Sequence, residues 1–247
     1  NTIADNTAEI SAAPGDALGG GLFDCDGPIE GNTITGNVAV QRSFDAGKGG
    51  GLCRCDGLIR DNIITGNSAD GPSASAGGGL FDCHGTITGN TIRANTAAGR
   101  GCRGGGLSDC SGTIEGNTVA LNVASGGGSS AGGGLAACNG TIRNNDITSN
   151  TAGGMSGSGG GLYSCHGLIE DNRIAGNFAN GMGASGGGID ACNATIQRNV
   201  IANNRVEGSR GDGGGLADCT GPILENVIVG NTAGGNTGAG GGVFNCD

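Results

Sequence analysis

A 21-residue block, GGGLFDCDGPIEGNTITGNVA at Gly19–Ala39, constrains this chain more than any other feature. It recurs without insertion or deletion at Gly49–Ala69, Gly77–Ala97, Gly104–Ala124, Gly132–Ala152, Gly159–Ala179, Gly186–Val206 and Gly213–Ala233. The connectors between copies hold nine residues, then seven, six, seven, and six thereafter. A block of fixed length joined by a variable connector is the pattern of a solenoid, in which each repeat packs on its neighbours. Residues 1–247 therefore read as a single repeat domain. Asn1–Ala8 matches the back of a block, and Gly240–Asp247 matches the front of one.

Read vertically, the blocks form columns. One is Leu22, Leu52, Leu80, Leu107, Leu135, Leu162, Ile189, Leu216 and Val243. Three residues on stands Cys25, Cys55, Cys83, Cys110, Cys138, Cys165, Cys192, Cys219 and Cys246. Two aliphatic columns follow, one begun by Ile29 and one by Ile34. Two unbroken asparagine columns flank the second, through Asn32, Asn62 and Asn90 and through Asn37, Asn67 and Asn95. The apolar positions are single residues separated by polar or glycine positions, with no i, i+3, i+4, i+7 stripe for a helix. Ile and Val between Thr, punctuated by Gly-Asn, read as short strands and turns. Residues two apart in a strand share a face, so Leu, Cys, Ile, Asn, Ile, Asn and Ala point inward.

The expected fold is all-β: a right-handed, single-stranded parallel β-helix of about nine rungs, each of roughly 27 residues and three short strands. Turns are expected near Gly27, Gly31–Asn32 and Gly36–Asn37. The right hand follows from the strong preference of parallel crossovers. At roughly 4.8 Å per rung the rod would be on the order of 43 Å long. Stacked Asn side chains would donate to one neighbouring rung and accept from the other. The glycine triplet should start a strand where the connector folds back.

Composition supports a thin rod. There are 59 Gly, five Phe, one Tyr and no Trp, too few large side chains to fill one broad core. The glycine content lacks the Gly-X-Y period of collagen. A formal net charge of -10 and a single lysine, Lys48, argue against nucleic acid as a partner. No apolar run approaches the roughly 18 residues of a membrane span. The chain begins at Asn, without a signal peptide, and is expected to be processed, excised or partial. Eleven Cys in an Asn-, Gly- and Thr-rich chain suggest an extracellular or cell-surface setting.

The I-x-x-N-x-A element, at Ile34–Ala39 and its copies, followed by GGG[LIV] resembles the right-handed parallel β-helix repeats of pectin-lyase-like proteins. It is most similar to the repeats of polymorphic outer membrane proteins, with Ile in place of their Phe and a third Gly in place of their Ala. The resemblance covers essentially the whole chain. It implies surface adhesins and passenger domains, and more widely a fold that also holds polysaccharide lyases and hydrolases. The Cys column departs from it.

Several outward or reactive positions are candidates for chemistry. The nine column Cys read either as a file of buried thiols acting as small hydrophobes or as bridges between adjacent rungs, whose Cα spacing would suit a disulfide. Cys53 is expected to point outward, and Cys102 lies in a connector. His84 and His166 are three rungs apart, which disfavours zinc. The outward corner beside the Cys column carries Asp24, Arg54, Asp82 and Asp109, with Asp26, Asp56 and His84 next to them. Asp82 and Asp109 on adjacent rungs could share Ca²⁺, the one cofactor the sequence suggests. Lyases of the resembled fold pair a Ca²⁺-binding acidic cluster with an Arg base, a role that would fall to Arg54. Alternatively Asp24, Arg54 and Asp82 simply pair across rungs. A second outward column, Glu30, Arg60, Thr88, Glu115, Arg143, Glu170, Gln197 and Leu224, alternates charge as register control.

Phe23, Phe81, Tyr163 and Phe244 share one column but never occupy neighbouring rungs, a poor sugar platform. The Thr column from Thr2 and Thr33 decays to Asp146, Arg173, Val200 and Val227, a poor ice-binding face. The expected function is a non-enzymatic, extracellular structural or adhesive rod. Its partners are other copies stacked end to end or a continuation of the parent chain, with a glycan or host surface as ligand. GGGVFNCD and NTIADNTA together fall five residues short of one block. The alternative is a polysaccharide-binding or polysaccharide-cleaving enzyme.

Overall fold

The computed structural model describes residues 1–247. It consists of short strands and turns, with no helix. Strands pair in parallel with their equivalents in the neighbouring repeats, those at the sheet edges on one side only. The register keeps the columns intact: Ile34 lies opposite Ile64, Ile64 opposite Ile92 and Ile92 opposite Val119. The fold is a parallel β-solenoid of about nine turns.

Each turn is divided more finely than the three strands read from the spacing. In the first complete rung the strands are Leu22–Phe23, Ile29–Glu30, Thr33–Thr35, Val38–Gln41 and Gly47–Lys48. The first, third and fourth belong to nine-stranded sheets and the second to an eight-stranded sheet. The fifth comes from the connector. Isolated bridges carry its ladder onward from Lys48 to Ala76, Arg103 and Ala131, where a four-stranded sheet takes over.

The extra corners come from left-handed backbone. At least four positions per rung have positive φ: Gly19 (62°), Asp24 (57°), Gly31 (62°) and Gly36 (65°) in the first. Two of these are turns expected from glycine. The corner at Asp24 adds to the one expected at Gly27, where the chain also bends and whose equivalents Gly112, Gly140, Gly167 and Gly221 have φ between 99° and 114°. The Asp24 equivalents Arg54, Asp82, Asp109, Ala137 and Ser164 keep φ between 50° and 56° without any glycine to mark them. Asp and Asn tolerate this region better than most residues, so backbone geometry alone accounts for part of the Asp content of this corner.

The glycine triplet sits where opposite walls are closest. A Cβ on Gly50 would lie 2.5 Å from the carbonyl oxygen of Gly78 and equally close to the Ser68 backbone. A Cβ on Gly51 would meet the Asn67 amide at 3.2 Å. Gly49 opens the triplet at φ 63°, directly after the connector strand ending at Lys48. Backbone therefore packs on backbone there, and no side chain fits between.

The rest of the interior is a cluster of 29 buried residues made almost wholly of the Leu, Cys and two Ile columns. Ile59, Ile64, Leu52 and Cys55 are all fully buried. Full burial of an aliphatic side chain contributes about 1.5–3 kcal/mol, so many modest side chains in file replace a few large ones. Ala39 and its equivalents close the opposite side.

Both asparagine columns run along this interior. Asn95 shows the pattern. Its Nδ2 donates to Asn122 Oδ1 on the next rung at 3.0 Å and to the Ile64 carbonyl on the previous rung at 2.9 Å. Its Oδ1 accepts from the Asn67 backbone N–H and from Asn67 Nδ2, both at 3.0 Å. Two donors and two acceptors are thus all used, the full capacity of a primary amide. The other column repeats this through Asn62, Asn90 and Asn117. Buried amides are tolerated here because each is saturated by identical neighbours.

Candidate functional site

The outer corner between the Leu and Ile walls is the site with the most chemistry. Its residues occupy two outward columns, separated by the inward Cys. The left-handed corner turns Asp82 out of the sheet, and the strand His84–Thr88 begins two residues later. On the next rung Ser111 opens the strand Ser111–Glu115, in register opposite His84. Repeat stacking thus brings Asp82, His84 and Ser111 together from two rungs.

His84 Nε2 lies 2.8 Å from Asp82 Oδ1, and His84 Nδ1 lies 2.7 Å from Ser111 Oγ. With the proton on Nε2, the neutral ring donates to the carboxylate and accepts from the hydroxyl. The second Asp82 oxygen is held by Arg54 Nε at 3.3 Å. The His84 backbone N–H donates to Asp56 Oδ1 at 2.8 Å. Asp109 follows Asp82 on the neighbouring rung and accepts from Ser108 Oγ at 2.9 Å.

This geometry sorts the residues singled out by sequence. Arg54 pairs with Asp82 but not with Asp24, which makes no ion pair. Asp82 and Asp109 are on adjacent rungs, as the columns require, but both Asp82 oxygens are already engaged by Arg54 and His84. No three His, Cys, Asp or Glu side chains converge as a set of metal ligands. In the second charged column Arg60 reaches Glu30 at 3.1 Å and Arg143 reaches Glu115 at 2.9 Å. Glu170 is taken by Arg198 and Gln197 rather than by Arg143.

All eleven Cys are free thiols. The ladder Cys stand parallel: the thiols of Cys55, Cys83, Cys110 and Cys138 each donate to the carbonyl two residues back, at 3.4–3.5 Å. Only the end members, Cys25 and Cys246, are partly exposed. The next thiol in the file, together with burial, pushes Cys83 and Cys110 well above the usual thiol range.

Cys53 is a correction. It was expected to point outward and is instead fully buried. The returning connector covers that side of the wall: a Cβ on Gly49 would lie only 2.7 Å from the Cys53 Cβ. Burial pushes the Cys53 thiol up to about 12. Cys102 lies in a connector, as the sequence indicates, is also buried, and its thiol is 3.1 Å from Ser130 Oγ.

The same covered column contains a residue that sequence reasoning missed. Asp190 is 3% exposed and lies opposite Tyr163 in the register. Its Oδ2 accepts from Ser185 Oγ at 2.9 Å, while its Oδ1 has no partner. Burial raises its pKa to about 7. The available signal was GGGID, an Asp where other rungs carry Phe, Cys, Ser, Ala or Tyr.

The surface has one shallow concavity, of about 470 Å³, lined by Val40, Gln41, Arg42, Asp70, Gly71 and Pro72. It lies where a nine-residue connector gives way to one of seven. Arg42 there is committed to Glu9, at 2.6 Å.

The chain matches no protein-family model, and neither curated proteins nor solved structures show significant similarity to it. The resemblance to pectin-lyase-like and polymorphic outer membrane protein repeats is therefore supported only as far as the parallel β-solenoid of about nine turns.

Proposed function

We propose that this chain is a structural solenoid of the extracellular space or cell surface, presenting a long outer face for adhesion and accepting further rungs at its ends. The observation that carries this reading is the division between inside and outside. The inward Cys and Asn columns are the same residue in every rung, whereas the outward columns change from rung to rung. The repeat is devoted to maintaining the rod, and variation is confined to what a partner would touch.

The two ends are chemically complementary. Asn226 and Asn231 each donate one amide hydrogen, to the Ile196 and Ile201 carbonyls, and keep the other free. Asn1 and Asn6 donate to Asn32 and Asn37, and their own amide oxygens accept from nothing. One end therefore offers donors and the other acceptors. A second copy stacked head to tail would continue both ladders, a heterologous contact that propagates without closing. Unpaired strand edges favour the same addition.

Electron microscopy of the purified 247-residue chain across a concentration series tests the stacking. Filaments that lengthen with concentration are expected; dispersed short rods at every concentration would refute it. A lyase reading would give the base role to Arg54, and an assay on acidic polysaccharides with Ca²⁺, comparing Arg54→Ala, separates it from the rod.

A further inference from the structure

We propose that Ser111 is a nucleophile for acyl transfer, with His84 as its general base and Asp82 as the residue that positions His84. The inference does not depend on the rod's assembly. It rests on the hydrogen-bonded series Ser111 Oγ–His84 Nδ1–His84 Nε2–Asp82 Oδ1, with links of 2.7 and 2.8 Å. Nucleophile, base and orienting carboxylate in this order are what activate a serine hydroxyl at neutral pH. Such a constellation is recognised by geometry rather than by order in the chain.

The surroundings hold the series in place. Arg54 fixes the second oxygen of Asp82, leaving Oδ1 to face the ring. Asp56 anchors the His84 backbone, and the parallel ladder holds His84 opposite Ser111. His84 is exposed and Ser111 partly so.

In the first step Ser111 Oγ attacks the ester carbonyl carbon and gives its proton to His84 Nδ1. The bond to the leaving alcohol breaks, and the alcohol departs with that proton. Water, deprotonated by the same nitrogen, then displaces the acyl group as a carboxylic acid and restores the hydroxyl. The corner is exposed, so it suits an ester displayed on an extended polymer rather than one needing enclosure. Asp56 and Asp109 beside it disfavour anionic substrates. The substrate class is a neutral O-acyl ester.

A fluorophosphonate probe tests this directly. Ser111 Oγ would form a bond to phosphorus, and fluoride would leave as the hydroxyl proton passes to His84. The folded chain is expected to gain one adduct, mapped by peptide mass spectrometry to Ser111 and absent from S111A. H84Q should slow labelling by about 100-fold or more. D82N, at unchanged thermal stability, should slow it less, because the ring loses the carboxylate that orients it, and D82E should recover part of the rate. Hydrolysis of p-nitrophenyl acetate should fall in the same order. No adduct on Ser111, or labelling equally fast in H84Q with its melting unchanged, would overturn the proposal.

Discussion

Replacing Asn122 by alanine removes four hydrogen bonds at one point in the ladder. Asn95 loses the acceptor of its backbone N–H and of one Nδ2 hydrogen, both at 3.0 Å. The Ile92 carbonyl and Asn150 Oδ1 lose the Asn122 amide donors at 2.9 and 3.0 Å. Asn150 Oδ1 still accepts from the Asn122 backbone N–H, so its loss is partial. The two stranded donors of Asn95 are buried and cannot reach water. Each buried group left unsatisfied costs about 1–3 kcal/mol, so with two of them Asn122→Ala should destabilise the chain by about 2–6 kcal/mol.

Asn122→Asp keeps the acceptor but turns the donor into a second oxygen facing Asn150 Oδ1. It should be worse than alanine at neutral pH and improve on acidification, as the carboxyl regains a proton to donate. Asn6→Ala, at the exposed end of the same column, is the control and should cost about 1 kcal/mol or less. Urea denaturation followed by circular dichroism gives the three values. Amide hydrogen exchange would show whether the damage is centred on the rungs of Asn95 and Asn122, as nearest-neighbour coupling requires. An Asn122→Ala cost below about 1 kcal/mol, the size of one ordinary hydrogen bond, would refute the saturated-ladder reasoning.

Leu121 sits at φ 58° and is exposed, so Leu121→Gly should stabilise by about 1 kcal/mol in thermal melts, against the usual cost of glycine. Gly78→Ala places a Cβ 2.5 Å from the Gly105 carbonyl and the Thr96 backbone, and should cost several kcal/mol or abolish folding. Asp190 binds its proton more tightly folded than unfolded, so its contribution is fully present below about pH 4 and is lost as pH rises through about 7. Asp190→Asn should therefore flatten the pH dependence of stability and leave the variant more stable than the parent at pH 8. A maleimide should label Cys25 and Cys246 first in the native chain and all eleven thiols only after denaturation; a native disulfide would lower that total.

How much was legible in the sequence depended on which way a column faces. Asn37, Asn67 and Asn95 could be read because an inward amide must meet an identical amide on each side, so the residue cannot change. The corner at Asp24 could not be read as sharply. Its left-handed backbone is occupied by Asp, Arg, Ala and Ser, with no glycine to announce it. Cys53 misled because strand alternation assigns one face to solvent, while here a connector folds back over that face. Asp190 is buried for the same reason. Asp82, His84 and Ser111 come from two rungs, and their contact depends on side-chain direction, which column position leaves open.

The central claim is that equivalent residues of successive repeats lie directly over one another. Nuclear Overhauser contacts along the second Ile column, in a uniformly labelled sample, test it most directly. Backbone contacts should join Val119 to Ile92 on one side and to Ile147 on the other, in parallel register. Contacts from Val119 to neighbouring segments in antiparallel register, or to residues of other columns in place of Ile92 and Ile147, would contradict it.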